Sequence, residues 1–249
     1  MSDQRGQVRV EPSQKRVRAY LGGELVFDTT HPSLVWEVPY YPAYYIPAAD
    51  VHAGLVPTGT VTHSPSRGDA QHFTVKTATT EATDAAWTYG ESPLEAIRDL
   101  VRFDWAAMDA WFEEDEEIIV HPRDPHTRVD TLASSRHVRV FIDGDLVADS
   151  TRPVLLFETG LPVRYYLPQT DLRTELFTPT DKHTSCPYKG TARYWSATVG
   201  GTEHPDIVWS YPTPLPESIK VAGMVSFYNE KVDIEVDGVM QERPRTKFS

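Results

Sequence analysis

Apolar and polar residues alternate one for one at Val17–Leu21 and again at Val138–Ile142, the period of a strand with one face buried. Each run is followed by a pair able to take positive φ, Gly22-Gly23 and Asp143-Gly144, so each reads as the first arm of a tight hairpin. Compact apolar runs follow at 34–36 and 154–157, then aromatic segments at 44–46 and 165–167, each closed by a proline. Residues 192–199 alternate strongly and stop at Gly200-Gly201, and 224–227 with 232–236 read as a last hairpin. Helix is scarce. The best candidates are 92–98, with Ser92 as cap and Pro93 in the first turn, and its counterpart 215–220.

The pattern is written twice. Residues 16–28 match 137–149 at a constant spacing of 121, and the register continues through Pro32 and Pro153, Glu37 and Glu158, Tyr44-Tyr45 and Tyr165-Tyr166, and Asp50 and Asp171. Trp87-x-Tyr89 meets Trp209-x-Tyr211 after a one-residue shift, and Arg102-Phe103 meets Ser226-Phe227 after two more. The expected fold is therefore mainly β: two tandem homologous units, 1–117 and 118–249, each a small antiparallel sandwich or roll with short helices, packed together. The acidic run 113–117 reads as a solvated end of the first unit, and Ile118-Ile119-Val120 as a part of the linker that packs.

Composition narrows the function classes. With 249 residues, 40% of them hydrophobic and 24% charged, the chain is long enough to bury its own cores, and no apolar run approaches a membrane span. A formal charge of −12 and scattered lysines and arginines argue against nucleic-acid or anionic-lipid partners. The polar N-terminus leads into no apolar signal core, and one cysteine allows no internal disulfide; a cytoplasmic protein is expected.

The densest chemistry lies in His183-Thr-Ser-Cys-Pro-Tyr-Lys-Gly190, which holds the only cysteine. Cys186 is the candidate nucleophile or redox thiol, with His183 as base and Lys189 as stabiliser of a developing anion, three residues away on either side. The other reading is a small buried hydrophobe before a turn-forming proline. Zinc would need His204 or Asp181 to complete the His-x-x-Cys pair, and no second Cys-x-x-Cys is present, so no metal or cofactor is expected. Tyr188, Tyr166, Trp209, Tyr211, Arg164 and Glu158 are the candidate ligand-binding residues, aromatic bodies with polar tips and a guanidinium, although alternating aromatics also make a β core. At a spacing of 121, His183 faces Thr62, Cys186 faces Pro65, Tyr188 faces Arg67, Lys189 faces Gly68 and Arg164 faces Ala43, so the reactive set appears in the second unit alone. His52, His63 and His72 read as surface histidines.

The opening hairpin, Glu158-Thr-Gly-Leu-Pro-x-Arg-Tyr-Tyr-x-Pro168, Cys186-Pro-Tyr-Lys-Gly190, Trp209-Ser-Tyr211 and Phe227-Tyr228 together resemble the bacterial domain-of-unknown-function family 427 in a two-copy form. The resemblance implies a small, mainly β domain and no settled activity. No Gly-Ser turn followed by Asp-x-Asp and no Gly-x-x-x-x-Gly-Lys loop occurs, so nucleotidyl transfer is not supported. Two functions remain in view. One is a small molecule bound, or chemically changed, in a pocket around Cys186; the other is a non-catalytic structural or protein-interaction module with Cys186 in the core.

Overall fold

A computed structural model describes residues 8–246, 248 and 249. It divides between Asp124 and Pro125 into two compact units. The segment after the acidic run stays with the first unit: Ile118 packs on its core, His121 stacks on Tyr41 with ring centroids 4.3 Å apart, and Trp36 Nε1 donates to Asp124 at 2.8 Å.

The first unit contains β1 (Arg9–Pro12), β2 (Val17–Leu21), β3 (Glu24–Thr29), β4 (Ser33–Val38), β5 (Tyr41–Pro47), β6 (Gly54–Ser64), β7 (Gly68–Lys76), β8 (Glu81–Thr88), β9 (Leu100–Phe103), β10 (Ala110–Glu113) and β11 (Glu116–Ile118). The second contains β12 (Val129–Ala133), β13 (Val138–Ile142), β14 (Asp145–Ser150), β15 (Val154–Glu158), β16 (Arg164–Tyr166), β17 (Phe177–Cys186), β18 (Gly190–Val199), β19 (Thr202–Ser210), β20 (Val225–Phe227), β21 (Asp233–Val236) and β22 (Val239–Met240). Each strand of the second unit repeats the one eleven places before it. A seven-stranded antiparallel sheet runs β1-β4-β5-β9-β8-β7-β6, and a four-stranded one β11-β10-β2-β3. In the second unit β12-β15-β16 and β20-β19-β18-β17 follow the same order, and the reciprocal backbone bonds between Leu167 and Val225, at 2.8 and 2.9 Å, join the two halves at their facing edges.

The alternation seen in the chain becomes packing. In β2 and β13 the same positions are buried, and Val17, Ala19, Val138 and Val140 are at most 1% exposed. These face the main core between the large and small sheets, with Phe27, Phe103 and Trp111 in the first unit and Leu167, Phe227 and Ile234 in the second. The opposite face of each large sheet is buried too. Tyr45, Tyr89 and Ile97 form its cluster in the first unit, and Tyr166, Tyr194, Trp209, Tyr211 and Val221 in the second. The two predicted helices are short 3-10 turns, Glu95–Ile97 and Pro216–Val221, and each contributes to this second cluster. Ser92 is not the cap expected of it: the turn's N-cap position is Leu94, with no side-chain cap bond, and Ser92 Oγ instead accepts from the Leu94 N–H at 3.0 Å in the loop before the turn.

Two further sequence expectations need correction. Glu113 is not a solvated end: it is 8% exposed, accepts the Tyr44 hydroxyl at 2.7 Å and pairs with Lys15, because β10 carries it under the sheet. His72 is no surface histidine: it stacks on Trp87 with centroids 5.5 Å apart, and its Nε2 lies 2.8 Å from the Thr62 hydroxyl.

Candidate functional site

The second cluster of each unit is where the conspicuous side chains meet. In the second unit, Trp209 Nε1 donates to the Tyr166 hydroxyl at 3.1 Å, and the indole meets Tyr166 edge-on and Tyr228 at 4.6 Å. The Arg164 guanidinium carbon lies 5.5 Å from the indole centroid. That guanidinium forks onto Glu230 with both arms at 2.7 Å and reaches Asn229 at 3.2 Å. Burial pushes the Glu230 carboxyl up, but Arg164 and the Thr246 hydroxyl together hold it below the usual range. Arg164, expected as an anion-facing ligand residue, is thus 7% exposed and already satisfied.

Beside this aromatic floor stands the turn from β17 to β18. Lys189 N–H donates to the Cys186 carbonyl at 3.3 Å, and Gly190 takes a φ of +93°. A Cβ at Gly190 would sit 3.1 Å from the Thr213 carbonyl oxygen, so both backbone and space require glycine. The turn lays Lys189 on Glu158 at the end of β15 as an ion pair whose side chains are only 12% and 11% exposed. Cys186 is half-buried, and Tyr188 likewise. Burial pushes the Tyr166 and Tyr211 hydroxyls up, and the charges of Glu158 and Cys186 act in the same direction on both.

His183 does not join them. On β17 it pairs with Arg193 while Cys186 pairs with Gly190, and side chains three apart on an extended strand face opposite sides. Thr184, on the Cys186 side, lies 2.7 Å from the Tyr194 hydroxyl; His183 is exposed, with Nδ1 2.9 Å from the Asp181 carbonyl. His204 contacts Asp143 at 2.9 Å, and no group of three metal-ligating side chains forms among the described residues. An open cleft of about 180 Å³ lies among Pro162, Val163, Tyr165, Asn229, Val232 and Ile234; Cys186, Lys189 and Glu158 are not in its wall.

The first unit holds a corresponding set, hidden by the spacing of 121. The pairing of Pro57 with Phe73 and of Pro179 with Trp195 shows that the second unit gains one residue before β17, between Leu172 and Pro179. In the true register, Ser64 and Gly68 close the turn that Cys186 and Gly190 close. Cys186 therefore matches Ser64, Tyr188 matches Ser66, Lys189 matches Arg67 and Tyr194 matches His72. Gly68 also takes positive φ, +87°. Arg67 Nε donates to the Tyr89 hydroxyl at 3.3 Å with its guanidinium 5.5 Å from that ring, and the Tyr45 hydroxyl donates to Glu37 at 2.6 Å.

The cation over the indole is also kept, from another strand. Arg102 of β9 lies 5.1 Å from the Trp87 centroid and 3.6 Å from Glu37. The second unit has Ser226 in that place and takes its guanidinium from Arg164 of β16, where the first unit has Ala43. Both positions differ between copies, while the charge stays beside the ring.

Residues 9–114 and 130–238 each match one family, described as Domain of unknown function (DUF427), and the two matches fall one in each unit. The chain belongs to the DUF427 family. It carries the DUF427 domain twice, and the cluster of glutamate, tyrosine, cation and tryptophan recurs at the same place in both copies. No match is found among curated proteins. Arg67, Arg102, Glu230 and Tyr194 were missed by reading the sequence. The available signal was Arg102 set against Ser226, which marks an arginine lost from one copy where Arg164 is gained two residues before Tyr166.

Proposed function

We propose that the protein binds a small organic molecule in the second unit, where Lys189, Glu158, Cys186 and Tyr188 border the floor of Tyr166, Trp209 and Tyr211. The observation that carries this reading is the double occurrence of charge beside aromatic rings. An ion pair withdrawn from water gives no more stability than apolar packing of the same volume, and often less. A chain that builds such a set twice, with the arginine moved between strands, retains it for recognition. Aromatic walls with a few polar groups are the usual make-up of a small-ligand site. A cytoplasmic location accompanies the reading, since a half-buried free thiol at its edge persists in a reducing compartment.

The test is ligand-observed NMR on the full chain with a library of aromatic amines, amides and carboxylates. Binders that lose saturation transfer in Lys189→Met and in Glu158→Gln, with the chain still folded, support the reading. Binders indifferent to both replacements, or no binders, sink it.

Binding without covalent catalysis is the form the geometry favours, because His183 faces away from the thiol. Only Lys189 remains to activate Cys186, and Glu158 already neutralises it. Iodoacetamide at pH 7 should therefore alkylate Cys186 in the folded chain no faster than in the urea-unfolded chain. Alkylation about tenfold or more faster in the folded chain would restore a nucleophilic role.

A further inference from the structure

We infer that the first unit carries a separate oxyanion site at the turn from Ser64 to Gly68, specific for a carboxylate or phosphate group on a small molecule. This goes beyond the binding reading for the second unit and does not depend on it.

The inference starts from what replaces Lys189. In the second unit the ammonium is consumed by Glu158, and Arg164 by Glu230, so two cations meet two carboxylates. In the first unit Arg102 takes the place beside Glu37, at 3.6 Å. The segment matching Glu230 runs through Ala106-Ala107, which offers no second carboxylate. Two guanidiniums, Arg67 and Arg102, then share one acid, and the balance is positive in a chain whose formal charge is −12.

Arg67 holds the spare capacity. Its Nε donates to the Tyr89 hydroxyl, while among the described residues its two Nη groups make no hydrogen bond and are not sealed from water. An Nη edge held by an aromatic ring and by the Nε bond is a fork with its geometry already set, the form in which arginine grips carboxylate and phosphate in two parallel bonds. The same turn supplies two half-buried hydroxyls, Ser64 and Ser66, whose oxygens lie 3.4 Å apart. Where the second unit places a thiol and a phenol on this turn, the first places two hydroxyls, one of which donates to the other and leaves one O–H for a ligand oxygen. Tyr89, 4% exposed, forms the wall behind the guanidinium.

The experiment follows the Arg67 Nε–H and the Tyr89 ring by NMR in the full chain, titrated with sodium benzoate, inorganic phosphate or sodium chloride at constant ionic strength. Benzoate or phosphate should give a saturable shift at both probes that chloride does not. A response to benzoate alone identifies a carboxylate on an apolar body, and one to phosphate alone a phosphoryl group. Arg67→Lys keeps the charge without the fork and should weaken binding about tenfold, the scale of one charge-assisted hydrogen bond; Lys189→Met should leave it unchanged. A response equal to that of chloride, or one that survives Arg67→Lys at full strength, overturns the inference. Because Lys189→Met reports only on the second unit, failure here and failure of the binding reading there are distinguishable.

Discussion

Arg164→Ala will destabilise the second unit by about 3–5 kcal/mol, the range found when one partner of a buried pair is removed. The cause is what stays behind. The Glu230 side chain is fully buried, and without the fork it keeps the Thr246 hydroxyl and its own backbone N–H as charged-form partners but no cation. Urea unfolding measures the loss, and hydrogen exchange should place it in β15, β16 and the 228–232 segment. The pH dependence fixes the mechanism. In the native protein the Glu230 carboxyl is held below its ordinary value of 4.5, so its contribution is fully present above about pH 5 and is lost as pH falls through the depressed folded value. In the variant, burial acts without the opposing guanidinium and raises that carboxyl instead, so protonation relieves the penalty. The gap between the two proteins should be widest at pH 7 and should narrow toward pH 4. A gap independent of pH would mean that lost packing on Trp209, and not the stranded carboxylate, carries the cost. Replacing both partners, Arg164→Met with Glu230→Leu, should recover most of the stability.

Trp209→Ala will cost a similar amount, about 3–5 kcal/mol, for a different reason. The indole is 7% exposed and is packed by Tyr166, Tyr228 and Arg164, so its removal leaves a cavity and strips the Tyr166 hydroxyl of a donor. Thermal unfolding should show the second unit melting about 10 °C lower or more. Trp87→Ala in the first unit should cost less, about 1–2 kcal/mol, because Trp87 is only half-buried. Equal losses in the two units would show that the aromatic floors are mechanically equivalent, contrary to their burial.

The strands were legible because their signals are local. The alternation at Val17–Leu21 and Val138–Ile142, with Gly22-Gly23 and Asp143-Gly144 behind them, identifies hairpins without any knowledge of what they pair with. The repeat told that two units share one plan. Illegible was everything that depends on which strand lies beside which. Glu230 follows Arg164 by 66 residues, and their pairing arises only when β16 and the segment after β20 are neighbours. His183 and Cys186 illustrate the opposite error: nearness in the chain suggested a couple, and strand geometry turned them apart. The spacing of 121 failed at a single inserted residue, which moved Lys189 off Arg67 and made a shared turn look unique.

The arginine that changes strand bears on how such domains should be compared. Column by column, position 102 has lost its cation in the second copy and position 164 has none in the first, and both would be scored as unconstrained. In space, each indole has a guanidinium beside it. What the two copies share is the potential at a point, which any side chain able to reach that point can supply. It follows that Arg164→Ala, Ser226→Arg and Glu230→Ala combined should carry the first unit's arrangement into the second, since the swap of arginines alone would leave Glu230 without its fork, and that sites of this type are better traced among relatives by where charge lies than by which residue bears it.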